Sequence, residues 1–291
     1  MERIAIIGLG LIGGSLGLDL TRQGHSVIGI ARRPETAQAA LAMGAVTEAG
    51  TDLGLVAEAE VVFICTPIDV TVATAAAIVP YLAPAAVVTD VASVKGEIVP
   101  AIEALWPGFV GGHPMAGKAA AGLAVAEAGL FCDRPYVLTP TEATSPEALE
   151  RVRAIATGLG ASLAQCHPAQ HDRAVAWISH LPVMVSSSLI LACQQEADPD
   201  ILALAQALAS SGFKDTSRVG GGVPELGTLM ARHNQSALLA ALTQYQQQID
   251  QLKTLIAAEN WNSLHATLTQ AQTARPGYLQ LERSAASVRN S

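Results

Sequence analysis

His113 is the residue of this chain best suited to take a proton. It lies in Gly111-Gly112-His113-Pro114-Met115-Ala116-Gly117, at the end of the apolar run Phe109–Gly112. Imidazole, with an ordinary pKa near 6.5, can accept a hydroxyl proton at neutral pH while hydride leaves the carbon that bears it. The plainer reading is a histidine hydrogen-bonded beside a Gly-Gly turn. Ser93, within Asp90-Val91-Ala92-Ser93-Val94-Lys95, could orient His113 or a substrate hydroxyl, or simply cap the following helix. Lys95 reads equally as a surface charge and as an active-site cation. Farther on, Pro182 interrupts a helix-like pattern, so a kink is expected there that frees backbone near His180 for a ligand contact. Arg218 precedes Gly220-Gly221-Gly222; its forked guanidinium suits a carboxylate, and the glycines would allow close ligand approach. His167 and His171 could share one helical face, but no third ligand is evident and no metal is expected.

A second group of residues speaks for a cofactor. Gly8-Leu9-Gly10-Leu11-Ile12-Gly13 follows the apolar strand Ile4–Ile7 and opens a helical run through Arg22, the context that the G-x-G-x-x-G dinucleotide fingerprint requires. Gly8 permits the tight turn, Gly10 lets backbone approach the pyrophosphate, and Gly13 allows the helix to pack closely on the strand. The free N–H groups and positive end of the helix then face the phosphates. About 20 residues farther on, an NAD site usually offers Asp or Glu to the ribose. Here the second strand ends in Ala31-Arg32-Arg33, which would pair with a 2′-phosphate, so NADP is the expected cofactor. Thr66-Pro67, after the run Val61–Cys65, should border the same ligand. A rival motif, Gly13-Gly14-Ser15-Leu16-Gly17, matches the G-x-S-x-G nucleophile elbow, but Ser15 falls inside the first helix rather than at a sharp turn.

These residues need a frame that gathers strand ends. Strands are expected at Arg3–Ile7, Ser26–Ile30, Val61–Cys65, Ala86–Thr89, Phe109–Gly112, Tyr136–Thr139 and Ser162–Gln165. Helices are expected between most of them, at Leu11–Arg22, Glu35–Met43 and Val70–Tyr81. Strands apolar on both faces alternating with helices mean a doubly wound, mostly parallel sheet of Rossmann type. Its ligands collect outside the carboxyl ends of the strands, where Thr66, Ser93 and His113 lie. After Gln165 the pattern becomes all-helical. With 291 residues, two domains are expected: 1–165 for the dinucleotide and 166–281 for substrate and dimerisation, with 282–291 a polar, frayed tail. In the stretch 235–258, Leu238, Leu242, Tyr245, Ile249, Leu252 and Ile256 recur at steps of four and three, a seam that wants another helix from an intramolecular bundle or a dimer partner.

Composition sets the outer limits. Net charge is -8 with scattered basic residues, so neither nucleic acid nor an anionic membrane is an expected partner. No uninterrupted apolar stretch reaches the roughly 20 residues of a spanning helix. An apolar run that begins right after Met1-Glu2-Arg3 leaves no room for a signal peptide, and a cytoplasmic location is expected. Cys65, Cys132, Cys166 and Cys193 lack metal or disulfide spacing and read as buried free thiols.

Taken together, Gly8–Gly13, Thr66-Pro67, Asp90–Lys95, Gly111–Gly117, His171-Asp172, Ser179-His180-Leu181-Pro182 and Asp215–Arg218 resemble the prephenate/arogenate dehydrogenases, in that family's order and over nearly the whole chain. The length and the arginine-ended second strand look most like the cyanobacterial-type, NADP-dependent arogenate dehydrogenases. The resemblance implies oxidative decarboxylation of arogenate to tyrosine, with His113 taking the 4-hydroxyl proton and Ser93 bonded to the histidine or the hydroxyl. It also implies that Arg218 binds a substrate carboxylate, that His180 holds the substrate, and that helical domains intertwine in a homodimer. Lys118 stands where relatives often carry a small polar residue, which puts contacts at that corner in question. The alternatives are a prephenate dehydrogenase giving 4-hydroxyphenylpyruvate, another Rossmann oxidoreductase such as a β-hydroxyacid dehydrogenase, or a non-catalytic NADP-sensing protein. The β-hydroxyacid group uses a lysine after a G-x-x-G-x-G-x-x-x-K pattern that is not found here.

Overall fold

A computed structural model describes residues 1–118 and 120–279; the tail read as frayed lies outside the described residues. In chain order the first half contains Arg3–Ile7 (β1), Leu11–Arg22 (α1), Ser26–Ile30 (β2), Pro34–Ala42 (α2), Glu48–Gly50 (β3), Val61–Ile64 (β4), Ile68–Ile78 (α3) and Val87–Asp90 (β5). Next come Ile98–Glu103 (α4), Phe109–Val110 (β6), Gly112–Pro114 (β7), Pro135–Leu138 (β8), Pro146–Gly158 (α5) and Ser162–Gln165 (β9). The remainder is helical: Pro168–Val175 (α6), Leu181–Gln194 (α7), Pro199–Leu208 (α8), Ser211–Ser217 (α9), Pro224–His233 (α10), Gln235–Ala257 (α11) and Trp261–Tyr278 (α12).

Six parallel strands form one sheet in the order β3-β2-β1-β4-β5-β6. Alternation along β1 sends Ile4 and Ile6 to one face and Ala5 and Ile7 to the other, and each face carries its own core. Leu16 and Leu20 of α1 with Val152 and Ile155 of α5 cover the first; Ile68 and Ile78 of α3 with Ile98 and Ile102 of α4 cover the second. A parallel sheet covered on both faces is the frame the apolar runs called for. The chain winds outward from β1 in one direction through β2 and β3, then resumes at β4 on the other side. The β1/β4 boundary is therefore the switch point where a crevice opens at the carboxyl ends.

The structure departs from the sequence reading in four places. Phe109–Gly112 is not one strand: β6 ends the large sheet at Val110, and β7 pairs antiparallel with β8 in a separate sheet ordered β7-β8-β9. Gly111, between them, sits where a side chain would meet Thr139 Oγ1 and Val99 Cγ2 at 2.4 and 2.6 Å, so the crossing between sheets needs a glycine. The short strand β3, Glu-Ala-Gly, carried no β-branched or aromatic residue to announce it. The cysteines are free thiols, but Cys132 and Cys193 are exposed and Cys65 and Cys166 only half-buried. Finally, α6 and α7 join through a wide helical turn at Ala176–His180 into one helix, Pro168–Gln194. It is 27 residues long, with a mean hydropathy of 1.6 over its most apolar 18 residues, so by length and composition alone it could cross a membrane; no uninterrupted apolar run foretold this because polar residues such as His180 interrupt it.

By its contacts the chain gathers into two compact units, Met1–Gln235 and the segment from Ser236 onward. Within α11, Leu238 and Ala241 are buried, whereas Ile249 and Ile256 are 38% and 52% exposed, so the far end of the apolar seam is left open in the single chain.

Candidate active site

The glycine loop after β1 is locked in place from both sides. Gly8 N donates to Ile30 O at 2.8 Å, tying the loop to the end of β2. Gly8 has φ +99°, and a Cβ there would lie 2.6 Å from Cys65 O at the end of β4. A Cβ at Gly13 would lie 2.0 Å from Gly8 O, so only glycine lets α1 start this close to the strand. At Gly10, the N-cap of α1, no side chain caps the helix and an added Cβ would meet nothing within 4 Å. The first amides of α1 thus face an unobstructed cradle, which fits a pyrophosphate. Leu11 and Ile12 form the first turn and are half-buried. Arg32 and Arg33 are exposed at the carboxyl end of β2. Thr66, half-buried, lies 3.4 Å from Thr71 Oγ1, and Pro67 is the N-cap of α3.

From this cradle the site continues through Cys65 to the ends of β5 and β7. Asp90, the last residue of β5, is fully buried and accepts hydrogen bonds from Ala92 N at 2.9 Å and Gly112 N at 3.2 Å. Lys95 is fully buried too; its Nζ pairs with Asp90 Oδ2 and donates to Gly112 O at 2.8 Å. Burial pulls the Lys95 ammonium below its ordinary range, and the Asp90 carboxylate opposes that pull. The pair pins β7 to β5 and so fixes the strand that carries His113.

His113 Nδ1 lies 2.8 Å from His171 Nε2, and His171 Nδ1 lies 2.8 Å from Asp172 Oδ1. Asp172 also accepts from Lys95 N at 2.8 Å and Gly96 N at 2.7 Å, which fastens α6 to the loop after β5. Burial, followed by the neighbouring His171, Lys95 and His180, holds the His113 pKa well below its ordinary value. The ring is therefore neutral at pH 7. His180 ends the wide helical turn just before Pro182. It is fully buried, its Nδ1 is 3.1 Å from Asn234 Nδ2, and its Nε2 has no partner among the described residues. Burial lowers its pKa to about 4.

Of the residues expected from sequence, His113 and His180 come together here, with Ser93 on the same loop as Lys95. Ser93 makes no hydrogen bond to His113; its Oγ is shielded and without a partner among the described residues. Arg218 is exposed on the turn Arg218–Gly221, apart from the buried network. Of the glycines after it, Gly220 is needed for packing, since a Cβ there would lie 2.6 Å from the backbone of Ser186 and Ser187 on α7, whereas a Cβ at Gly221 would meet nothing within 4 Å. Ser15 is buried inside α1, where its Oγ accepts from Glu127 N, so it is no nucleophile elbow. His167 uses Nδ1 to cap α6 and does not share a site with His171. Lys118 pairs with Glu127 at 2.7 Å.

Sequence reasoning missed the roles of Asp90, His171, Asp172 and Asn234. A lone carboxylate closing an apolar strand with lysine five residues on was the available signal for Asp90; nothing local marked Asn234.

Comparison with known proteins agrees with this geometry. Residues 16–165 match the family described as "Prephenate dehydrogenase, nucleotide-binding domain", and residues 167–270 match "Prephenate dehydrogenase, dimerization domain". The chain belongs to the prephenate dehydrogenase family. It is 32% identical over 262 residues to a prephenate dehydrogenase of Bacillus subtilis, covering 86% of this chain and 69% of that one. Among solved structures, Synechocystis arogenate dehydrogenase is 54% identical over 95% of this chain and 99% of its own, with a TM-score of 0.85. Aquifex aeolicus prephenate dehydrogenase, solved with hydroxyphenyl propionate and NAD+, is 27% identical over 96% and 98%, with a TM-score of 0.89. As a member of this dehydrogenase family the chain is an oxidoreductase, and its Rossmann sheet and helical second half are those the alternation pattern called for.

Proposed function

We propose that this chain oxidatively decarboxylates arogenate to tyrosine with NADP. The observation that carries the reading is His113, a neutral buried imidazole on β7, continuous through Gly112, Asp90 and Cys65 with the glycine cradle. The 54% identity to an arogenate dehydrogenase favours arogenate over prephenate. When bound, the nicotinamide supplies the hydride acceptor. His113 takes the proton of the 4-hydroxyl as the carbonyl forms; the ring carboxylate leaves as carbon dioxide, and the ring becomes aromatic. Aromatisation supplies driving force, so orientation, a base and charge recognition are the protein's contributions. Ser93 bonds the substrate hydroxyl, a reading supported by its shielded Oγ, which has no partner among the described residues. His180 holds the substrate from the helical side, and Arg218 receives a carboxylate.

Arg32 and Arg33 select NADP by pairing with its 2′-phosphate; no carboxylate occupies the end of β2, where one would repel that group. Gly8, Gly10, Leu11, Ile12 and Gly13 cradle the pyrophosphate, and Thr66 and Pro67 border the cofactor. We divide the chain functionally into 1–165 for nucleotide and 166–281 for substrate and dimerisation, and place it in the cytoplasm. Two copies associate through the helical half, a reading supported by the open end of the α11 seam and by the description of the matching family. Parallel assays of arogenate and prephenate with NADP and NAD test the reading. The arogenate–NADP pair is expected to give the highest kcat/KM, and a higher value for prephenate or for NAD would overturn the corresponding choice.

A further inference from the structure

Two imidazoles meet in the site, and their hydrogen bonds lead back to one residue. The carboxylate of Asp172 accepts from Lys95 N and Gly96 N, which can only donate, so it is an acceptor on both oxygens. His171 Nδ1, at 2.8 Å from Oδ1, must then carry a proton, and with a single proton on the ring that pairing leaves Nε2 bare. His113 Nδ1, at 2.8 Å from that nitrogen, is the donor, which leaves the lone pair of His113 on Nε2.

The second line starts at the Asp172 backbone. Its carbonyl oxygen can only accept, so the group 2.8 Å away is the Asn234 amide nitrogen, and the Asn234 orientation is settled without ambiguity. The same Nδ2 lies 3.1 Å from His180 Nδ1 and donates its other hydrogen there. His180 therefore carries its proton on Nε2, the buried nitrogen that has no partner among the described residues.

We propose that Asp172 fixes His113 and His180 in opposite tautomers, through His171 and Asn234 respectively, so that one ring presents an acceptor and the other a donor. His171 and Asn234 are positioning residues. A substrate that fits must offer a hydroxyl to His113 and an acceptor oxygen, such as a carboxylate or carbonyl, to His180. When the hydroxyl proton reaches His113 Nε2, the Nδ1 proton can shift along its hydrogen bond to His171 Nε2. The new positive charge is then held on two rings facing the Asp172 carboxylate, instead of on one buried imidazolium. No proton is lost or gained within the chain of groups beyond the one taken from the hydroxyl.

Two-bond 1H–15N correlation of the histidine-labelled protein at neutral pH reads this without substrate. His113 is expected protonated at Nδ1 and bare at Nε2, His180 the reverse, with peaks assigned by their loss in His113→Asn and His180→Asn. The same tautomer in both rings, or averaging between forms in either, overturns the proposal. The kinetic arm rests on the reaction proposed above; the spectroscopic arm does not, so the two can fail separately. His171→Leu is expected to lower kcat about 100-fold with KM little changed, less than the roughly 10⁴-fold cost of locking a catalytic imidazole in the wrong tautomer, because the released ring still samples the right one. His171→Gln, whose amide oxygen can accept from His113 Nδ1, should restore roughly tenfold of that loss. Asn234→Ala should raise KM about tenfold at nearly constant kcat, the cost of one buried hydrogen bond. Equal kcat in His171→Leu and the unaltered protein, or equal loss in the Leu and Gln variants, would overturn the role of His171.

Discussion

The polar cluster at the strand ends and the exposed arginines are built on opposite terms. Asp90, Lys95, His171, Asp172 and Asn234 are buried, each bonded to another member or to backbone. Arg32, Arg33 and Arg218 are exposed, with no ion pair among the described residues. Groups that handle a proton must be held at fixed distance and in a fixed protonation state, and burial with complete hydrogen bonding achieves both. Groups that recognise charge can stay in water until an anion arrives, because a guanidinium needs no tuning to remain charged. One region costs stability to assemble; the other costs almost nothing.

This contrast can be broken most sharply at His113. His113→Asn should reduce kcat by roughly 10³-fold, within the range for loss of a positioned base, while the affinity for NADP in a fluorescence titration stays unchanged. Retained turnover would remove His113 as the base. Next in size is Asp90→Ala, which leaves the Lys95 ammonium buried without its carboxylate. A loss of about 3–5 kcal/mol in denaturant unfolding is expected, against well under 1 kcal/mol for Arg218→Gln. Similar losses in the two variants would erase the distinction between the regions.

Acid should also act on the buried region alone. His180 takes a proton near pH 6.5 when unfolded but only near pH 4 when folded, so the unfolded chain binds more protons between these values. Stability is therefore lost as pH falls through that window, by on the order of 3 kcal/mol from His180, and the low pKa of His113 adds in the same direction. Thermal unfolding followed from pH 7 to pH 4 checks this, and His180→Asn should flatten the slope. The exposed region is expected to show itself only in binding. Arg218→Gln should raise the substrate KM roughly 10–100-fold, the worth of a hydrogen bond to a charged group. Arg32→Ala should weaken NADP about tenfold and leave NAD unaffected.

Most of the large sheet was legible because its physics is local. Arg3–Ile7 and Ser26–Ile30 are apolar on both faces and stand where the sequence placed them, and Gly8–Gly13 announces its own turn. His113 was legible as chemistry but misplaced in structure: Phe109–Gly112 reads as one strand, and nothing in four consecutive residues reveals that the chain changes sheets at Gly111. The helical half was less readable still. Pro182 marked a disturbance near His180, yet the wide turn at Ala176–His180 and the inward aim of His171 depend on what α6 and α7 pack against.

The amino-acid sequence by itself determined a dinucleotide cradle, an alternating parallel sheet, a basic second-strand end and a histidine able to act as a base. Each of these rests on residue type and short spacing. Only the tertiary structure decided the company of that histidine. His113 meets His171 across 58 positions, and Lys95 meets Asp172 across 77. Contacts at such separation leave no period and no motif in the chain. They arise where β5, β7 and α6 are packed together, and the protonation states they impose are properties of that packing.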